Sequence, residues 1–190
     1  MADFKKAIIV LLKNEGDFSN DPNDPGGTTK FGVSLRFLKT IGEFGDFDGD
    51  GNIDVDDIKL LTIGRTSFIY QKYWWNSFRY GLINDDDIAS KILDWSINIG
   101  HVPAHKLVQR AINLMPVPEG DTKEYLKVDG IMGNKTIAAI NSKPPKDLMM
   151  VLRGVLSSYY IDLAEKHPNF EKYIVGWLNK KVNDEKFPID

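Results

Sequence analysis

Leu148, Val151, Leu152, Val155, Tyr159 and Leu163 recur at steps of three and four residues behind the pair Pro144 and Pro145. That spacing makes one continuous face on an α-helix, and a proline at the first helical position costs nothing because its missing N–H would be unpaired there anyway. The same period governs the opening, where Phe4, Ala7, Ile8, Leu11 and Leu12 share a stripe between Asp3 as N-cap and Gly16 as stop. It returns over residues 34–41 and 57–78, and around Ile88, Ile92, Trp95 and Ile99, with Asp86 or Asp87 as cap and Gly100 as stop. Leu107, Val108, Ala111 and Ile112 mark a further helix, and Asn134 or Lys135 begins a short one through Ile140. Phe170, Tyr173, Ile174, Trp177 and Leu178 continue the long stripe after His167 and Pro168. No row of alternating strands, heptad seam or internal repeat competes. The pattern predicts a mainly α fold, with residues 19–29, dense in Asn, Asp, Pro and Gly, as a loop or short hairpin after the first helix.

A chain of 190 residues suits one globule with a small appended part. The absence of cysteine excludes disulfides, thiolate metal sites and a thiol nucleophile. The apolar run 7–12 is too short for a spanning helix or a signal h-region, so synthesis in the cytoplasm without a cleaved signal is expected. His101, His105 and His167 lack metal-ligand spacing, and no serine-nucleophile motif accompanies them, which argues against a zinc amidase or a serine hydrolase.

The net charge of −3 hides an asymmetry, because Asp46, Asp48, Asp50, Asp54, Asp56 and Asp57 crowd one stretch without Lys or Arg. Outside it, 24 basic residues face 21 acidic ones, a balance compatible with an anionic polymer. The stretch 46–57 matches the twelve-position calcium loop: carboxylates at positions 1, 3 and 5, Gly51 at 6, Ile53 at 8 and an acid at 12. Asp46, Asp48, Asp50, Asn52 and Asp57 are the expected ligands of one structural Ca²⁺. Asp57 replaces the longer Glu usual at the last position, which would weaken bidentate binding.

Glu15 extends the stripe of the first helix, where a solvated charge does not belong. Burial and the negative end of a helix dipole would both raise its pKa, as a general acid for glycosidic cleavage requires. A Glu turned out to water at a fraying helix end fits that position equally well.

The surrounding run narrows the choice. Glu15-Gly16-Asp17-Phe18, followed by Asp21-Pro22-Asn23-Asp24-Pro25-Gly26-Gly27-Thr28-Thr29-Lys30-Phe31-Gly32-Val33-Ser34, resembles the signature of the family 108 glycoside hydrolases, N-acetylmuramidases related to lysozymes. The likeness continues at Tyr73-Trp74, at Asp94-Trp95-Ser96-Ile97-Asn98-Ile99-Gly100 and at Val128-Asp129-Gly130-Ile131-Met132-Gly133-Asn134-Lys135-Thr136, the last resembling the family's predicted peptidoglycan-binding region.

The resemblance implies a lysozyme-like helical region over residues 1–100 and a C-terminal helical region over 101–190, packed together as one globule. It places the catalytic acid at Glu15, with Asp17 where the family often has Gly. Asp24 and Thr29 resemble, in order and approximate spacing, the residues that orient water in phage-type lysozymes; Asp21 rivals Asp24, and an Asx-turn or cap serves each as well. Within the aromatic stretch 70–80, most rings are expected in the core, with Tyr73 or Trp74 reaching the substrate cleft. The expected partner is a peptidoglycan glycan strand, met by an endolysin-type monomer after release from the cell, with neither nucleic acid nor membrane insertion. A lytic transglycosylase and a non-catalytic, calcium-stabilised wall-binding or secretion-associated module are the alternatives. The calcium loop stands as an insertion relative to the family pattern.

Overall fold

The computed structural model of the protein describes residues 1–14, 18, 27–117, 120 and 122–182. Helix α1 (Phe4–Asn14) buries Ala7, Ile8 and Leu11 while Ile9 and Val10 stay exposed, as its periodicity predicts. Asp3 caps it by accepting the Lys5 N–H at 2.9 Å. The main partner of α1 is α5 (Asp86–Asn98).

The cap of α5 is Asp85, not Asp86 or Asp87: its Oδ1 accepts the Ile88 N–H at 2.9 Å. Asp86 is drawn to the start of α1, where it accepts the Asp3 N–H at 2.8 Å and pairs with Lys6 at 2.5 Å. One aspartate therefore starts α5 and the next ties α5 to α1.

The hairpin lies at the far end of the Asn/Asp/Pro/Gly run. Strand β1 (Thr29–Lys30) pairs antiparallel with β2 (Val33–Ser34) in the register Thr29 to Ser34 and Lys30 to Val33. Phe31 (φ 50°) and Gly32 (φ 79°) form the two-residue turn, both in the left-handed region that matches strand twist. The strain of Phe31 there is offset by a bond from the Tyr70 hydroxyl to its carbonyl at 2.9 Å. Ser34 then caps α2 (Leu35–Thr40) by accepting the Phe37 N–H. Helix α3 (Val55–Lys59) follows the acidic loop, and α4 (Ile63–Tyr70) runs on into a wide π turn over Gln71–Asn76.

Helices α6 (His101–Leu114), α7 (Asn134–Asn141) and α8 (Pro145–Lys166) complete the larger core around α5. On α8 the fully buried line is Leu148, Leu152, Leu156, Tyr160 and Ala164, whereas Val151, Val155, Tyr159 and Leu163 are only half-buried. The buried line follows a single four-residue ridge, so the centre of the stripe is shifted from the expected one. Beyond His167 the regular helix is interrupted, although Ile174, Trp177 and Leu178 still pack against the larger core. Pro168–Tyr173 is a 3₁₀ turn and α9 (Ile174–Trp177) is one turn long, because Pro168 cannot supply the helical N–H; neither segment holds a fully buried residue.

Two apolar clusters result. The larger joins residues from Ala7 to Val182; the smaller gathers Ile8, Leu11, Val33, Leu38, Ile58, Leu61, Ile69 and Tyr70 under the hairpin and acidic loop. Trp74, Phe4 and Ile97 border both. No described helix is long and apolar enough to cross a membrane.

Candidate functional site

Glu15, Asp21 and Asp24 lie outside the described residues. Thr29 is described: it sits half-buried on β1, opposite Ser34. Tyr73 and Trp74 lie on the π turn, both half-buried and both against Phe37, with ring centroids at 5.7 and 4.5 Å. Such wide turns interrupt the helical ladder and change where the following side chains point. Tyr70, Trp75 and Tyr80 are core, as most of this aromatic stretch was expected to be.

In the acidic loop, Asp46, Asp48 and Asp50 each offer a carboxylate oxygen, and these atoms lie within 4.8 Å of one another. Main-chain amides hold them there: Asp46 accepts from Gly49 and Gly51 at 2.7 and 3.0 Å, Asp48 from Asp50 at 3.1 Å, and Asp50 from Asn52 at 2.7 Å. Gly51, at φ 88°, permits the reversal. The amide bond from Asp50 lowers the Asp48 pKa, but desolvation and the carboxylates of Asp50, Asp57 and Asp46 raise it further, for a net increase. Asp57 is almost fully buried and its two oxygens accept the N–H groups of Phe47 (2.5 Å) and Asp54 (2.9 Å), fastening both ends of the loop to the start of α3. Asn52 is exposed and gives its N–H to Asp50. Ile53 packs on the smaller core, as position 8 of such a loop should.

A third constellation, on α6, matches no motif in the sequence. His105, Gln109 and Asn113 stand at i, i+4 and i+8 on α6, and each holds the connection that leads to α7. The His105 Nδ1 meets the Gly130 carbonyl at 2.9 Å. Gln109 gives Nε2–H to the Asp129 carboxylate at 2.9 Å and the Ile131 carbonyl at 3.1 Å, and accepts the Gly130 N–H at 2.9 Å. Asn113 brackets Leu126, accepting its N–H at 2.8 Å and donating to its carbonyl at 2.9 Å. The signal available was a polar i, i+4, i+8 row beside the apolar positions Leu107, Val108, Ala111 and Ile112. His105 and Gln109 are buried, and without these partners their desolvation would be uncompensated.

The helical bundle, with its single two-residue hairpin among the described residues, defines a mainly α, lysozyme-like protein. Residues 8–100 match the family model described as Glycosyl hydrolase 108, and residues 103–182 match the Predicted Peptidoglycan domain. The two matches, with the hydrolase segment first and the peptidoglycan domain behind it, support a peptidoglycan hydrolase of the glycosyl hydrolase 108 type. Its fold is also similar to the solved structure of SagA from Brucella abortus, with a TM-score of 0.72 and 22% identity over 95% of this chain and 90% of that one. At that identity the likeness is one of fold. No curated protein matches the sequence significantly.

Proposed function

We propose that the protein is an N-acetylmuramidase of the endolysin type, cleaving the β-1,4 bond between N-acetylmuramic acid and N-acetylglucosamine with Glu15 as general acid. The observation that carries this reading is the hydrolase match beginning at residue 8, inside α1. Glu15 directly follows the last residue of that helix and stands four residues after the buried Leu11. In glycoside hydrolysis a protonated carboxyl gives its proton to the leaving oxygen as the sugar ring gains oxocarbenium character. Asp24 and Thr29 would then position the attacking water, and Tyr73 or Trp74 would supply a ring for an N-acetyl sugar to stack on. One Ca²⁺ held by Asp46, Asp48, Asp50, Asn52 and Asp57 would stabilise the loop beside the smaller core. The enzyme would act as a monomer on the cell wall after its release.

Clearing of a suspension of purified sacculi, with mass spectrometry of the products, tests the reading. The wild-type protein should clear the suspension and leave reducing N-acetylmuramic acid ends, and Glu15→Gln should slow clearing by about 10²–10⁴-fold. Undiminished clearing by Glu15→Gln removes the general-acid role. A 1,6-anhydro terminus on the products would make the enzyme a lytic transglycosylase instead.

A further inference from the structure

Between α6 and α7 the chain leaves the helical pattern and runs alongside α6. Leu126 turns both its N–H and its carbonyl toward one side chain, the Asn113 amide, at 2.8 and 2.9 Å. A residue whose two main-chain groups point the same way is extended, and the groups of its neighbours then point the opposite way. Those neighbours are Tyr125 and Lys127, both exposed, and among the described residues their main-chain groups make no hydrogen bond. Among the described residues, segment 125–127 therefore presents a short strand edge without a partner, the kind of edge to which another extended chain adds.

This edge borders a groove of ≈ 770 Å³, which continues to Gly133, Lys135 and Thr136 at the start of α7. Its floor is built rather than incidental. Gln109 and Thr136 are 1% and 4% exposed, and their bonds to Asp129, Gly130 and Ile131 fix the loop beneath the groove. Lys127 and Lys135 line it together with Glu124 and Asp129, so the lining carries both signs. The Asp129 carboxylate is already taken by the Ile131 N–H and by Gln109, which lower its pKa.

We propose that this groove is a subsite for the peptide stems of peptidoglycan, which would lie along the 125–127 edge as an added strand. The inference rests on the reading that peptidoglycan is the substrate, and it names the part of the polymer that the C-terminal segment holds. A glycan strand carries its amides only on N-acetyl side groups, off the polymer's main chain. A stem peptide carries several amides within its own backbone, and its free carboxylate and amino groups suit a lining of mixed charge. The exposed Tyr125 ring, 71% accessible, offers apolar contact beside the edge.

The test is titration of the isotope-labelled full chain with a synthetic stem pentapeptide and, separately, with the peptide-free N-acetylglucosamine–N-acetylmuramic acid disaccharide, followed by amide NMR shifts. The pentapeptide should move the Tyr125 and Lys127 amides most. Lys127→Pro, which deletes one donor of the edge, should weaken peptide binding about tenfold, while Lys127→Ala, which keeps it, should cost about twofold. If Lys127→Pro fails to fold, Lys135→Glu serves instead and should weaken the peptide by a similar factor. Shifts confined to other surfaces, a response to the disaccharide alone, or full affinity in a folded Lys127→Pro variant would overturn the proposal. The sacculus assay keeps the two readings apart: clearing without peptide binding refutes only the groove, and peptide binding without clearing refutes only the hydrolase.

Discussion

His105 Nε2 lies 2.7 Å from the Tyr80 hydroxyl, and both residues are fully buried. The other ring nitrogen faces the Gly130 carbonyl, which can only accept, so Nδ1 carries the proton and Nε2 accepts from Tyr80. The same hydroxyl meets Ser96 Oγ on α5 at 2.7 Å. One neutral imidazole thus joins Tyr80 and Ser96, in the hydrolase segment, to Gly130, in the peptidoglycan segment.

Acid should loosen this junction. Burial pushes the His105 pKa down from 6.5 to about 4, aided by the nearby His101 and opposed by the Gly130 bond. Because the folded value is the lower one, the unfolded chain takes up the proton first. The contribution of His105 is intact above pH 6.5, falls as pH drops toward 4, and levels off below that, a loss on the order of 3 kcal/mol. Urea midpoints at pH 7 and pH 4.5 should differ for the wild type, and His105→Gln should lose most of that difference. An equal difference in both proteins would refute the assignment.

Gly130 should tolerate no side chain. Its φ is 82°, and a Cβ there would lie 2.9 Å from the Val102 carbonyl oxygen, a main-chain atom that cannot turn aside. Gly130→Ala should therefore cost about 2 kcal/mol or more. Gln109→Ala, which leaves the Gly130 N–H without its acceptor, should cost about 1–3 kcal/mol. Thermal melts measure both, and hydrogen exchange should speed up first at the Gly130 and Ile131 amides.

Much of this bundle is legible in the sequence because one face of each helix is buried: Ile88, Ile92 and Trp95 on α5, and Leu107, Val108, Ala111 and Ile112 on α6, fall where periodicity puts them. Three successive aspartates at 85–87 defeated the capping rule, since any of them can cap and only the docking of α1 decides between them. The α6 ladder was hidden for the opposite reason. A polar row normally marks the solvent side of a helix, and these residues are inside only because a strand-like segment without periodicity of its own lies over them. The Asp46, Asp48 and Asp50 cluster was readable because alternate residues of one tight loop converge whatever surrounds them.

Calcium should bind this cluster and stabilise the fold. Three carboxylates held within 4.8 Å repel one another until a cation enters, and the loop is anchored to the smaller core through Phe47 and Ile53. At a hundredfold excess over its Kd, calcium should add about 2.7 kcal/mol to unfolding. The melting temperature should rise with Ca²⁺, return with EGTA, and respond weakly in Asp48→Asn or Asp50→Asn. Melting curves that ignore both calcium and EGTA would remove the ion from the proposed function.

Packing and sugar contact should separate at Tyr73 and Trp74. The Trp74 ring lies 4.5 Å from Phe37, 5.5 Å from Tyr70 and borders both apolar clusters, while its Nε1–H points to the Ser96 carbonyl at 3.4 Å. Trp74→Ala should open a cavity between the clusters and cost about 3–5 kcal/mol, and activity would be lost with the fold. Tyr73 touches Phe37 edge-on and has the Lys72 ammonium 5.1 Å from its ring centre, so Tyr73→Ala should cost less stability. If Tyr73 is the sugar platform, Tyr73→Ala should raise KM on soluble glycan about tenfold, with kcat changed less, and Tyr73→Phe should restore it, because stacking needs the ring and not the hydroxyl. A KM unaffected by Tyr73→Ala, in a variant that melts near the wild-type temperature, would leave Tyr73 as a packing residue and remove it from the proposed sugar contacts.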